Sequence, residues 1–133
     1  MIHSNRKKRR WGGATVEMAV VTPLLLTMLL GIIEYGWVFS VRQALTTAAR
    51  EGARTAALPG STEEDIEGRV AAFLAPMGLD TYSVEITRST PFDPTETVHL
   101  TVPYADVTLV GGFFGSTDFN LGATCSMRKE GLD

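Results

Sequence analysis

The residues able to do chemistry in this chain gather near its N-terminus. Gly12-Gly13 is followed by Ala14-Thr15-Val16 and then by Glu17, an acid at the edge of the charge-free run from Met18 to Ile33. A carboxylate entering hydrocarbon costs about 2.5–3.5 kcal/mol near a helix centre, and less near an end. Such a group either sits at the interface or is matched by a positive partner. Cutting the chain after Gly12 would free an amine at Gly13 and make Glu17 the fifth residue. The amine of one copy could then neutralise the acid of the next, which would link cleavage to lateral assembly.

Little other reactive material is available. His3 and His99 are the two histidines and Cys125 the single cysteine. A disulfide framework, a cysteine-based zinc site and a Ser-His constellation are therefore not expected. The acidic cluster Glu63, Glu64, Asp65 and Glu67 lacks the alternating Asp/Asn loop with a central glycine that calcium requires, and suits a helix N-terminus instead. No catalytic residue, metal ligand or cofactor is expected. With 133 residues, 44% of them apolar and 20% charged, the chain has material for one modest domain and not for two good cores.

The element that must position Gly12 and Glu17 is the apolar run itself. Its residues from Met18 to Ile33 would span roughly 24 Å as a helix, slightly short of the ~30 Å hydrocarbon core. Ala14–Val16 on one side and Tyr35–Phe39 on the other complete the crossing and bring Glu17 and Glu34 to its two ends. Tyr35, Trp37 and Phe39 suit an interface. A cleaved secretory signal is not favoured, since the Gly31–Tyr35 segment offers no small-x-small site. The formal net charge of −3 hides a split: Arg6, Lys7, Lys8, Arg9 and Arg10 stand before the run without an acid among them, and the rest of the chain is acidic. Basic flanks stay in the cytoplasm, so the N-terminus is expected inside and the acidic portion outside. Topology explains the basic cluster better than nucleic-acid binding does.

Beyond the run the helix is expected to continue to about Leu58, where Pro59-Gly60 stops it. Val41, Leu45, Ala48, Ala49, Gly52, Ala53 and Ala56 form a stripe at spacings of three and four. The stripe shrinks toward alanine and glycine, so a close neighbour is expected against it, either the chain's own sheet or another subunit. Glu51 is three before Arg54, and an intrahelical pair is possible there. Ser61-Thr62-Glu63-Glu64 reads as a capping box opening a short helix to about Leu74. Period-two alternation marks strands over Tyr82–Thr87, Val98–Tyr104 and Leu121–Arg128, with a linker from Ser89 to Thr97. Cys125 shares the apolar face of the last strand, where burial is expected; His99 is expected to face solvent. Gly111-Gly112-Phe113-Phe114-Gly115 is a turn-rich apolar segment, either tucked against the sheet or offered to a partner.

Several of these segments resemble one family. Gly12-Gly13-Ala14-Thr15-Val16-Glu17 before an apolar helix resembles the class III signal of type IV prepilins and pseudopilins, and within that group the TadE-like proteins of the tight-adherence (Tad) pilus system. Gly31-Ile32-Ile33-Glu34-Tyr35-Gly36 is similar to the family's apolar-Glu-aromatic-Gly segment, and Ala48-Ala49-Arg50-Glu51-Gly52-Ala53-Arg54 to its AAREGAR hallmark. Met127-Arg128-Lys129-Glu130 is similar to its Met-Arg-x-Glu ending. Met18 departs from the aromatic that usually follows the glutamate in the major Tad pilin.

The resemblance implies a structural protein, not an enzyme: a minor pseudopilin whose basic leader a prepilin peptidase removes after Gly12 or Gly13. Glu17 would be the assembly acid, and Glu34, Arg50, Glu51, Gly52 and Arg54 would make subunit or domain-anchoring contacts. Its implied partners are the membrane, the peptidase, other pilins and pseudopilins, and the Tad assembly platform. The expected fold is α+β, a long N-terminal transmembrane helix extending into a pilin-like head with a short helix and a small antiparallel sheet. The expected organisation is a leader over 1–12, a membrane helix over 13–39, its extracytoplasmic extension over 40–58 and the head over 59–133. The alternative is a permanently anchored single-pass envelope protein whose outer domain binds a ligand or cell-wall component.

Overall fold

Helix α1 (Trp11–Ala57) is continuous in the computed structural model, which describes residues 11–130. The basic cluster from Arg6 to Arg10 lies outside the described residues. The chain divides into two units, Met1–Ile33 and Glu34–Asp133.

In the first unit, α1 turns its apolar side chains outward. Val16, Met18, Val20, Leu24, Leu25, Met28 and Ile32 are all exposed. Among the described residues no packing holds this stretch; its helicity rests on the backbone ladder, and its surface is suited to a solvent of acyl chains. The helix is long and apolar enough to cross a membrane. Pro23 lies within it and cannot donate to the carbonyl of Ala19. One turn later the hydroxyl of Thr27 donates to the Pro23 carbonyl at 2.9 Å.

The second unit is an α+β domain built on the C-terminal part of α1. Helix α2 (Glu63–Leu74) and three strands, β1 (Ser83–Thr87), β2 (Thr95–Pro103) and β3 (Asn120–Arg128), follow in sequence. The strands form an antiparallel sheet in the order β1-β2-β3, with Ile86 opposite Val98 and Val98 opposite Cys125. Val98, Leu100 and Val102 of the central strand are buried together with Ile66, Val70 and Leu74 of α2. The small-residue stripe of α1 joins the same core: Val41, Leu45, Ala48, Ala49, Ala53 and Ala56 have no exposed surface. The chain's own elements cover that face.

The opposite face of the sheet is polar. Ser83 pairs with Thr101, Thr97 with Ser126, and His99 with Thr124 through their side chains. Hydroxyl pairs across strands satisfy one another while remaining solvated.

Three local expectations are corrected. The capping box sits one residue later than expected: Thr62 caps α2, its hydroxyl accepts from the Asp65 amide at 3.2 Å, and its own amide donates to the Asp65 carboxylate at 2.9 Å. Ser61 is otherwise engaged, because its hydroxyl donates to the Ala56 carbonyl at 3.1 Å and closes the end of α1. Strand β2 begins at Thr95, inside the stretch expected as linker, and the connection ends at Pro94. Cys125 is half-buried, since β3 is an edge strand whose inner face is only partly covered. Glycine at position 60, with φ of 81°, makes the turn between the helices.

Candidate functional site

Gly12, Gly13 and Glu17 stand on the first turns of α1, all exposed. Nothing lies within 4 Å of where a Cβ would sit on either glycine. Glu17 has no hydrogen-bond or ion-pair partner among the described residues. One turn of apolar side chains follows it at once, so the acid opens a surface that otherwise rejects charge.

Glu34 is in a different setting. It begins the second unit, yet only 5% of it is exposed. Its Oε1 accepts from the Tyr104 hydroxyl at 2.7 Å, and its Oε2 accepts from the backbone amides of Leu109 and Val110 at 2.9 and 3.1 Å. Three donors around one carboxylate turn an isolated acid into a structural clasp, because hydrogen bonds to a charged group are the strong ones. Hydrogen bonding to this carboxylate pushes the Tyr104 phenol above its ordinary range. Three residues along α1, the Trp37 indole donates to the Val107 carbonyl at 2.8 Å. Glu34 and Trp37 therefore both hold the connection between β2 and β3. Sequence alone placed them at the end of a membrane crossing.

The AAREGAR segment divides by face. Gly52 is buried where α2 and β2 close on α1: a Cβ there would stand 2.9 Å from Val70 Cγ2 and 3.4 Å from Val98 Cγ1. Arg50 and Arg54 are exposed and have no partner among the described residues. Glu51 pairs with Arg69 of α2 at 3.3 Å and not with Arg54, and the Arg69 guanidinium also lies over the Phe73 ring, 5.2 Å from its centroid. Packing of α2 across α1 brings Arg69 closer than the helix's own next turn does. Being half-exposed, the pair adds a few tenths of a kcal/mol at most, roughly the worth of a surface ion pair.

Glu96 escaped the sequence reading. It is fully buried on the inner face of β2, in line with Val98, Leu100 and Val102. Its Oε1 accepts from the Ser89 hydroxyl at 2.9 Å and from Lys129 Nζ at 3.2 Å, and Arg88 stands 3.8 Å from Oε2. Burial works to raise its pKa, but the bonds from Ser89 and Lys129 outweigh that and hold the carboxyl below the ordinary range. An acid at a period-two position of an apolar strand face was the available signal. Tyr104 and the amides of Leu109 and Val110 had none, since backbone donors leave no mark in a sequence.

No curated protein and no solved structure matches this chain. A family model does, over residues 12–54, and it describes a TadE-like protein. The matched stretch takes in the glycine pair, Glu17, the apolar run, Glu34 and the AAREGAR segment, and ends three residues before α1 does. Along the helix that carries its candidate site the chain is thus similar to TadE-like proteins.

Proposed function

We propose that the protein is a membrane-anchored minor pseudopilin acting in assembly of a Tad-type pilus. A prepilin peptidase removes the basic leader after Gly12 or Gly13, leaving the N-terminal amine on Gly13 or Ala14, four or three residues before Glu17. The first unit of α1 holds the chain in the cytoplasmic membrane with the basic end inside, and the α+β domain is outside. Burial of Glu34 by the outer domain supports a membrane-embedded stretch that ends at Ile33, not at Phe39. Neighbouring pilins and the assembly platform are the partners along the exposed apolar face.

The observation that carries this reading is Glu17, an acid with no partner among the described residues, at the head of an outward-facing apolar helix; its spacing from Gly12 resembles that of the type IV prepilin signal. In hydrocarbon it needs a cation, and the amine of an adjacent processed subunit supplies one. Glu17→Ala is expected to leave leader removal intact and to abolish co-purification with pilin from detergent-solubilised membranes. Pilin recovery equal to that of the unaltered protein would refute the charge pairing.

A further inference from the structure

The connection between β2 and β3 has an unusual composition. From Val107 to Thr117 it holds no charge in eleven residues, with Asp106 and Asp118 standing at its two ends. The sequence of this stretch is Val-Thr-Leu-Val-Gly-Gly-Phe-Phe-Gly-Ser-Thr. Its large apolar side chains are not used by the core: Leu109, Phe113 and Phe114 are 58%, 62% and 47% exposed. Phe113 and Phe114 meet edge to face, with ring centroids 5.0 Å apart, so the two rings present one apolar projection.

Such a projection is not a floppy tip. Its backbone is fixed to α1 by the Leu109 and Val110 amides on Glu34 and by the Val107 carbonyl on the Trp37 indole. The Thr108 hydroxyl accepts from the Gly111 amide at 2.9 Å, which holds the turn into Phe113. Glu34 is the residue immediately after the apolar run ends at Ile33. The clasp therefore ties the segment to α1 at the first residue of the second unit, and Tyr35 and Phe39, close to Glu34 in sequence, are exposed as well. Amphipathic and aromatic groups are favoured at a membrane interface.

We propose that Leu109–Phe114 is an interfacial lipid-docking segment, with Phe113 and Phe114 inserted among the headgroups and upper acyl chains of the leaflet that α1 exits. It gives the α+β domain a membrane contact of its own, and the Glu34 clasp ties that segment to α1. This inference rests on the membrane-anchoring part of the proposed function and on none of its processing step.

The test uses the full chain, with Cys125→Ser, in phosphatidylcholine vesicles. A nitroxide is attached in turn at Phe113→Cys, at Leu25→Cys in the apolar run, and at Phe92→Cys on the solvent-facing β1–β2 connection. Collision rates with oxygen, which concentrates in lipid, and with a water-soluble nickel chelate are compared. The oxygen-to-nickel ratio at position 113 is expected to exceed that at position 92 by about fivefold or more, and to fall below that at position 25. A second label at Phe114→Cys should follow the first. A ratio at 113 equal to that at 92, with a lipid-like value at 25, overturns this proposal and leaves the anchor standing. A water-like value at 25 overturns both. Protection of 113 from both reagents, with spin–spin broadening that vanishes on dilution by unlabelled chain, overturns it in favour of a second copy.

Discussion

Removing the Glu34 carboxylate, as in Glu34→Ala, gives the most direct view of how the α+β domain is held to its helix. Three donors lose their acceptor at once: the Tyr104 hydroxyl and the Leu109 and Val110 amides. Hydrogen bonds to a charged group contribute about 1.5–3 kcal/mol each, but the three are not additive, since the freed phenol and amides partly rehydrate. A loss of about 3 kcal/mol for the segment as a whole is the reasonable expectation, which is roughly a 150-fold rise in local opening. Glu34→Gln should cost about 1 kcal/mol, because an amide oxygen still accepts from the two backbone donors. Amide hydrogen exchange of the full chain in detergent micelles reads this directly. The Leu109 and Val110 amides should exchange about 100-fold faster in Glu34→Ala, while Val98 and Leu100 in the central strand change little. If Leu109 and Val110 keep their protection in that variant, the carboxylate is not what fixes the segment.

Two further outcomes follow from the packing. Glu96 has a lowered folded-state pKa, so its contribution to stability is complete at pH above the ordinary glutamate range and fades as pH falls below ~4. Glu96→Gln should flatten the acid limb of a Tm-against-pH curve, and an unaltered limb would show that the buried carboxyl does not titrate against unfolding. Gly52→Val pushes a branched side chain into the space held by Val70 and should destabilise by about 2 kcal/mol, with part of the loss recovered in Gly52→Val/Val70→Ala. Thermal unfolding of both variants measures it, and equal Tm values for the unaltered chain and Gly52→Val would contradict the close approach.

Much of the architecture was legible because it rests on periodicity. The run from Met18 to Ile33 announces itself by length without charge, and the stripe from Val41 to Ala56 by its spacing. The strands showed through alternation, and their inner residues Val84, Val98, Leu100 and Ala123 are where that alternation puts them. What failed was local and had a physical reason in each case. Ser61 and Thr62 are equivalent as caps on paper, and the choice between them was made by the Ala56 carbonyl, which takes the serine hydroxyl. Glu96 hid the start of β2 because a buried acid breaks the apolar pattern, and its neutralisation by Lys129 depends on a residue 33 positions away. Gly12, Gly13, Glu17 and the segment from Ala48 to Arg54 could be singled out through their resemblance to TadE-like proteins. The setting of Glu34 could not, since its partners lie 70 or more residues on and two of them are backbone amides.

The proposed pilin role turns on whether a peptidase exposes an amine close to Glu17. Intact mass and N-terminal peptide mapping of the protein from the membranes of a pilus-forming cell measure this directly. A mature chain that starts at Gly13 or Ala14 is the expected result. Recovery of the polypeptide with Met1 to Arg10 still attached, in cells that process their other pilins, would contradict it.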